Sequence, residues 1–66
     1  MQIKVNGESL ELADNATISV LVTQMLLEDQ RYAIEVNEEI ISRSQHVTHF
    51  LSDGDQVEVV QAIGGG

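Results

Sequence analysis

The groups in this chain best suited to covalent chemistry lie at its end, where Ile63 gives way to Gly64-Gly65-Gly66 and a free carboxylate. Glycines carry no side chain, can follow a channel too narrow for any Cβ, and adopt backbone angles closed to other residues. Extended, three of them reach roughly 10 Å, enough to set a terminal carboxylate inside another protein's active site. With an ordinary pKa of about 3.3–3.7 an α-carboxyl is ionised at neutral pH. Its oxygen can attack the α-phosphate of ATP to give an acyl adenylate. Gly66 is therefore the candidate reacting residue, and Gly64 and Gly65 form its leash. The plain alternative is a frayed tail without chemistry. Against that, the glycines follow the apolar run directly, with no Ser, Pro or Lys linker between.

Other constellations carry less. His46 and His49 lie three apart, and Asp53 or Asp55 would have to complete a metal site; loop histidines at this spacing are common, and no metal is expected. Asp53-Gly54-Asp55 lacks the further spaced ligands and closing Glu of a calcium loop, so it reads as a turn. Ser, His and Asp all occur, but nothing resembles a nucleophile elbow. The chain has no cysteine. It cannot hold a persulfide, use a thiolate nucleophile or build a thiolate zinc site. If it handles sulfur, the terminal carboxylate must do so.

The charge is lopsided, with 11 Asp and Glu against 3 Lys and Arg and a formal net charge of −8. Such a surface repels phosphate backbones and anionic lipid, so neither nucleic acid nor membrane is an expected partner, and a protein partner should present a basic rim. For any single acidic residue, solubility is explanation enough. The apolar runs fall far short of the roughly 20 residues a membrane span needs, and a cytoplasmic location is expected.

The elements that position the tail follow from periodicity. Ile3 and Val5 alternate with Gln2 and Lys4 as in a half-buried strand, and Asn6-Gly7 suits a two-residue type I′ turn into a second strand with Leu10 and Leu12. Thr17 is a helix N-cap candidate. Ile18, Leu21, Val22 and Met25 recur at i, i+3, i+4 and i+7, one helical stripe, while Val20 and Leu27 fall off it; Glu28 to Arg31 should close the helix. Tyr32–Asn37 returns to strand period, and Asn37-Glu38-Glu39 turns into a short strand at Ile40-Ile41. Residues 42–52 read as a loop with one irregular helical turn, anchored at Val47, Phe50 and Leu51. In the last strand Val57 and Val59 share one face, and Glu58, Val60 and Ala62 the other. A first hairpin, a covering helix and a terminal strand paired beside the first make a single α+β roll, with a mixed sheet of four to five strands over residues 1–63 and a flexible glycine tail over 64–66.

Asn6-Gly7, Thr17-Ile18 opening the helix, Val36-Asn37-Glu38-Glu39-Ile40-Ile41, Asp53-Gly54-Asp55 and Val60-Gln61-Ala62-Ile63-Gly64-Gly65-Gly66 together resemble the ThiS family of ubiquitin-like, β-grasp sulfur carriers of thiamine biosynthesis. The resemblance covers essentially the whole chain and rests on the order of these motifs. It implies that a ThiF-like adenylyltransferase, using ATP and magnesium, adenylylates the Gly66 carboxylate. Sulfur from a cysteine desulfurase persulfide or another donor system then gives a thiocarboxylate, which thiazole synthase consumes. In that scheme the chain is a protein co-substrate, not an enzyme, and holds no cofactor. Val60, Ala62 and Ile63, beside the tail, are the docking candidates; Val60 and Ala62 sit on the sheet face that a lone helix leaves uncovered, and both are smaller than the apolar residue that family members often place there. A molybdopterin-type carrier or a ubiquitin-like modifier of lysines would use the same fold and a similar activating enzyme.

Overall fold

Both hairpins are set by an asparagine with positive φ. In the computed structural model, which describes residues 1–61, Asn6 and Gly7 have φ of 51° and 86°, as a primed two-residue turn requires. Strand β1 (Gln2–Val5) therefore folds back on β2 (Glu8–Glu11), with Ile3 opposite Leu10. Asn37 and Glu38 repeat the geometry at 51° and 71°, joining β3 (Tyr32–Val36) to β4 (Glu39–Ile41). The last strand, β5 (Gln56–Gln61), enters between the hairpins. It runs parallel to β1, with Val5 opposite Val57, and antiparallel to β3, with Ile34 opposite Val59. The strand order is β2-β1-β5-β3-β4, a mixed five-stranded sheet with β5 at its centre.

One helix covers one face of this sheet. Helix α1 (Ile18–Gln24) is capped by Thr17, whose Oγ1 accepts a hydrogen bond from the Val20 N–H at 3.4 Å. Ile18, Leu21 and Val22 are buried, and with Ile3, Ile34 and Val57 they form the centre of the core. The result is the α+β roll expected.

The helix is shorter than its sequence suggests. It ends at Gln24 rather than near Arg31, because Leu26 takes a φ of 59° and reverses the chain. The Leu26 N–H donates to the Thr23 carbonyl at 3.1 Å and the Leu27 N–H to the Val22 carbonyl at 3.0 Å, the paired bonds of a Schellman cap. The cap carries Leu27 back toward the core, where it is buried, whereas Val20 is exposed as its place off the stripe indicates. In residues 42–52 the helical turn is a 3-10 segment at Arg43–Gln45. Of the three apolar anchors expected there, only Leu51 is buried; Val47 and Phe50 face solvent, and the other buried side chain of the segment is His46. Phe50 is held through its backbone instead, bridged to Thr17. Among the described residues no helix is long and apolar enough to cross a membrane. Ala62, Ile63, the glycine tail and the expected boundary after residue 63 lie outside the described residues.

Candidate functional site

The strand that leads toward the glycines is fixed by main chain on both sides and then by two side chains. On the β1 side, the Lys4 N–H donates to the Asp55 carbonyl and the Asn6 N–H to the Val57 carbonyl, both at 2.9 Å. There β1 turns away, and its next rung is supplied by the Asn6 side chain. The Val59 N–H donates to Asn6 Oδ1 at 2.8 Å, and Asn6 Nδ2 donates to the Val59 carbonyl at 3.3 Å. A carboxamide pairs a carbonyl acceptor with N–H donors, as a peptide unit does, so Asn6 extends the ladder past the point where its own backbone has left it. Asn37 does the same at the start of β5. Its N–H donates to the Gln56 carbonyl at 2.7 Å, its Oδ1 accepts from the Gln56 N–H at 3.0 Å, and its Nδ2 donates to Asp55 Oδ1 at 3.1 Å. The two turn asparagines thus grip β5 from its two neighbouring hairpins.

The carboxylates before β5 are spent on the turn. Asp53 Oδ1 accepts from the Gln2 N–H at 2.7 Å, Asp55 Oδ2 accepts from the Ser52 N–H at 2.8 Å, and Gly54 has a φ of 86° that favours glycine. His46 is equally occupied: it is buried, its Nε2 lies 3.1 Å from the Ile41 carbonyl, and its ring stacks on Tyr32 with centroids 5.9 Å apart. Only an Nε2–H can satisfy that carbonyl, so Nε2 is the donor of this contact. Among the described residues no group of three or more His, Cys, Asp or Glu could hold a metal ion. These residues serve the scaffold.

Of the candidate docking residues, Val60 lies within the described strand, 54% exposed on the face away from the helix and opposite Ala33. Ala62 and Ile63, like Gly64, Gly65 and Gly66, lie outside the described residues. The same face carries Ile40, 71% exposed and opposite Glu35, which in turn faces Glu58. Val60, Ala33 and Ile40 make a small apolar strip among acidic residues. Sequence reasoning passed over Ile40 because Ile40-Ile41 reads as one apolar pair; strand alternation, which buries Ile41 and exposes Ile40, was the available signal.

Comparison with known proteins follows from this geometry. The ThiS family model matches residues 3–66. The chain is 33% identical over 66 residues to the sulfur carrier protein ThiS of Escherichia coli strain K12, covering the full length of both. It is 32% identical over its whole length to part of a thiazole synthase from Paramagnetospirillum magneticum, of which it spans only 20%. Among solved structures, the thiamine biosynthesis protein ThiS of Geobacter metallireducens superposes with a TM-score of 0.84 at 26% identity, over all of both chains.

Proposed function

The chain belongs to the ThiS family of sulfur carriers of thiamine biosynthesis, and from that premise we propose that it carries sulfur on the Gly66 carboxylate, delivering it as a thiocarboxylate for thiazole formation. The observation that carries this reading is the placement of β5. The central strand of the sheet, bonded by the Asn6 and Asn37 side chains as well as by its neighbours, is the one whose sequence continues into Gly64-Gly65-Gly66. A reactive group on a narrow leash is useful only if the base of the leash is fixed relative to the surface a partner recognises.

The chemistry divides between partners. A ThiF-like adenylyltransferase holds ATP and magnesium. A Gly66 carboxylate oxygen attacks the α-phosphorus, the bond to pyrophosphate breaks, and an acyl adenylate forms. The terminal sulfur of a donor persulfide, from a cysteine desulfurase or another donor system, then attacks the acyl carbon and AMP leaves; a thiol cleaves the resulting acyl disulfide and frees the thiocarboxylate. The activating protein supplies the electrostatic stabilisation of these steps. This chain supplies the nucleophile, a leash with no Cβ to obstruct a channel, and a body to be recognised. Its lack of cysteine suits the role, since no internal thiol can intercept the activated carbonyl. Thiazole synthase as the recipient is supported by the thiazole synthase whose length includes a segment similar to this entire chain.

Docking falls to the strip beside the tail, with Val60, Ala62 and Ile63 nearest to it. Intact-mass spectrometry tests the reading. The protein is incubated with ATP, a matching adenylyltransferase and a sulfur donor, and we expect a gain equal to one oxygen replaced by sulfur, localised to Gly66 and absent when Gly66 is deleted. An unchanged mass, under conditions that convert a known carrier, refutes it, and conjugates to lysines of other proteins would point to a modifier instead.

A further inference from the structure

The cations of this acidic chain are unevenly placed. Of its 3 Lys and Arg, Lys4 pairs with Gln56 at the entry of β5, while Arg31 and Arg43 flank Tyr32, the residue opposite Gln61 at the strand's exit. Arg43 is built into that corner. Its guanidinium carbon lies 4.2 Å from the centroid of the Tyr32 ring, and the other partner of that ring is the buried His46, with centroids 5.9 Å apart. The His46 carbonyl accepts the Ser19 N–H of α1 at 3.0 Å, so this cluster is tied to the helix as well as to the sheet.

Despite 11 Asp and Glu in the chain, the one ion pair among the described residues joins the Met1 ammonium to Asp14. Glu28 lines the same shallow pocket as Arg43 without pairing to it. The one side-chain hydrogen bond of Arg43 among the described residues runs from Nη2 to the Gln30 carbonyl at 3.4 Å. A guanidinium has five N–H donors in a planar fork that matches a carboxylate. Here Arg43 is exposed, its guanidinium rests over the Tyr32 ring, and its donors are largely unspent among the described residues. Holding it in advance removes part of the ordering cost that a free arginine would meet on binding.

We propose that Arg43 is a specificity contact for a carboxylate of the activating protein, placed at the lip of the channel that receives the glycine tail. The inference deepens the reading of Gly66 as the activated group and rests on it for the identity of the partner. The partner surface is then two-signed. Basic groups face Glu35, Glu58 and the other acids of the sheet face, and an acidic group meets Arg43 at the exit. Reversal of sign across one interface fixes register, since a rotated or displaced docking sets like charges together. For a carrier whose leash must enter one channel, register at the base of the leash is the quantity that matters.

The test is the dissociation constant of the full-length chain for its ThiF-like adenylyltransferase, measured calorimetrically without ATP so that it does not depend on turnover. Arg43→Met keeps an apolar stem over Tyr32 and removes the charge; we expect binding weakened about tenfold. Arg43→Glu places like charges together and should weaken it about a hundredfold, with Arg43→Lys, charged but not planar, between wild type and Met. Thermal midpoints of the Met and Lys variants report whether the fold is intact. Wild-type affinity in Arg43→Met, equal affinities of the Met and Glu variants, or no binding by the wild type would overturn the proposal. If Arg43→Glu does not fold, the ordering of wild type, Lys and Met decides. Thiocarboxylate formation is followed separately by intact mass: its failure with the affinity series intact counts against the Gly66 reading alone.

Discussion

Asn6 offers the sharpest test of how this fold holds its last strand. Asn6→Ala removes both side-chain hydrogen bonds to Val59 and leaves at φ 51° a residue with no polar group to ease the left-handed backbone. Each neutral hydrogen bond contributes about 0.5–1.5 kcal/mol, and the exposed setting places these toward the lower half. Holding alanine in the left-handed region costs about 1 kcal/mol more. The expected loss is about 2–3 kcal/mol, a large share of the roughly 3–10 kcal/mol that a domain of this length has in total. The thermal midpoint should fall by about 10–20 °C. Asn6→Gly loses the same hydrogen bonds but not the backbone conformation, so it should cost only about 1–2 kcal/mol, and the difference isolates the conformational term. Urea unfolding gives the energies, with an unchanged m-value as the sign that the two-state comparison holds. Amide hydrogen exchange gives the location: the Val59 N–H should exchange through a new local opening while the Ile34 amide continues to follow global unfolding. If Asn6→Gly is as stable as the wild type, or Val59 keeps its protection in Asn6→Ala, the carboxamide is not acting as a rung of the ladder.

Four further outcomes follow from particular residues. Leu26 occupies the left-handed position of the helix cap where glycine is usual, and its side chain is 79% exposed, so Leu26→Gly should raise stability by about 0.5–1 kcal/mol after the entropy of the unfolded chain is set against the relieved strain, read as a higher urea midpoint. Glu38→Gly at the second position of its primed turn should act in the same direction and add to it, since the two sites share no partners. His46→Ala empties a buried site, frees the Ile41 carbonyl and removes the support under Tyr32, and should cost about 2–3 kcal/mol by the same measurement. The Met1 ammonium donates to Asp14 at 2.8 Å, a hydrogen bond that raises the ammonium's pKa above its ordinary 8.0 and lowers that of Asp14 below 3.8. The raised group stabilises the fold below about pH 8 and loses that contribution as pH climbs through its folded value; the lowered group stabilises above about pH 4 and loses it as pH falls. Stability against pH should therefore show a plateau between those limits with falling shoulders, and Asp14→Asn should flatten both; shoulders unchanged in that variant would refute the pairing.

Much of this architecture is written in local chemistry. Asn6-Gly7 announces its turn because only residues tolerant of positive φ fit there, and the Ile18, Leu21, Val22 stripe announces which helix face is buried. The placement of β5 beside β1 followed from the need to complete a sheet around one helix. What sequence did not disclose depends on contacts between distant residues. Nothing near Leu26 signals a left-handed cap, since leucine ordinarily avoids it; the conformation accompanies the burial of Leu27, so the helix end and that burial are hidden from the sequence together. Val47 and Phe50 read as anchors by composition alone, while the side chain that fills the space is His46, whose polarity is masked by a carbonyl five residues back. The grip of Asn6 on Val59 spans 53 positions, and no window of sequence contains both.

The two asparagines also bear on why so small a chain can serve as a carrier. On the proposed reading, the chance that the Gly66 carboxylate meets a bound nucleotide depends on how narrowly the origin of the leash is set. Were β5 an edge strand paired on one side, local opening at its end would spread that origin over several ångströms. Here the strand is central, paired with β3 through Gln61 and extended on its other side by the Asn6 carboxamide at Val59. Strand pairing therefore persists to Gln61, with only Ala62 and Ile63 between it and the first glycine in sequence. On this argument the loss of the Asn6 clamp should impair activation beyond its effect on stability: in Asn6→Gly, assayed well below its melting temperature, the rate of adenylylation at saturating carrier should fall while the affinity set by Arg43 and the sheet face is kept. A variant with wild-type turnover and only a lower melting temperature would show that the partner, and not the strand, aims the tail.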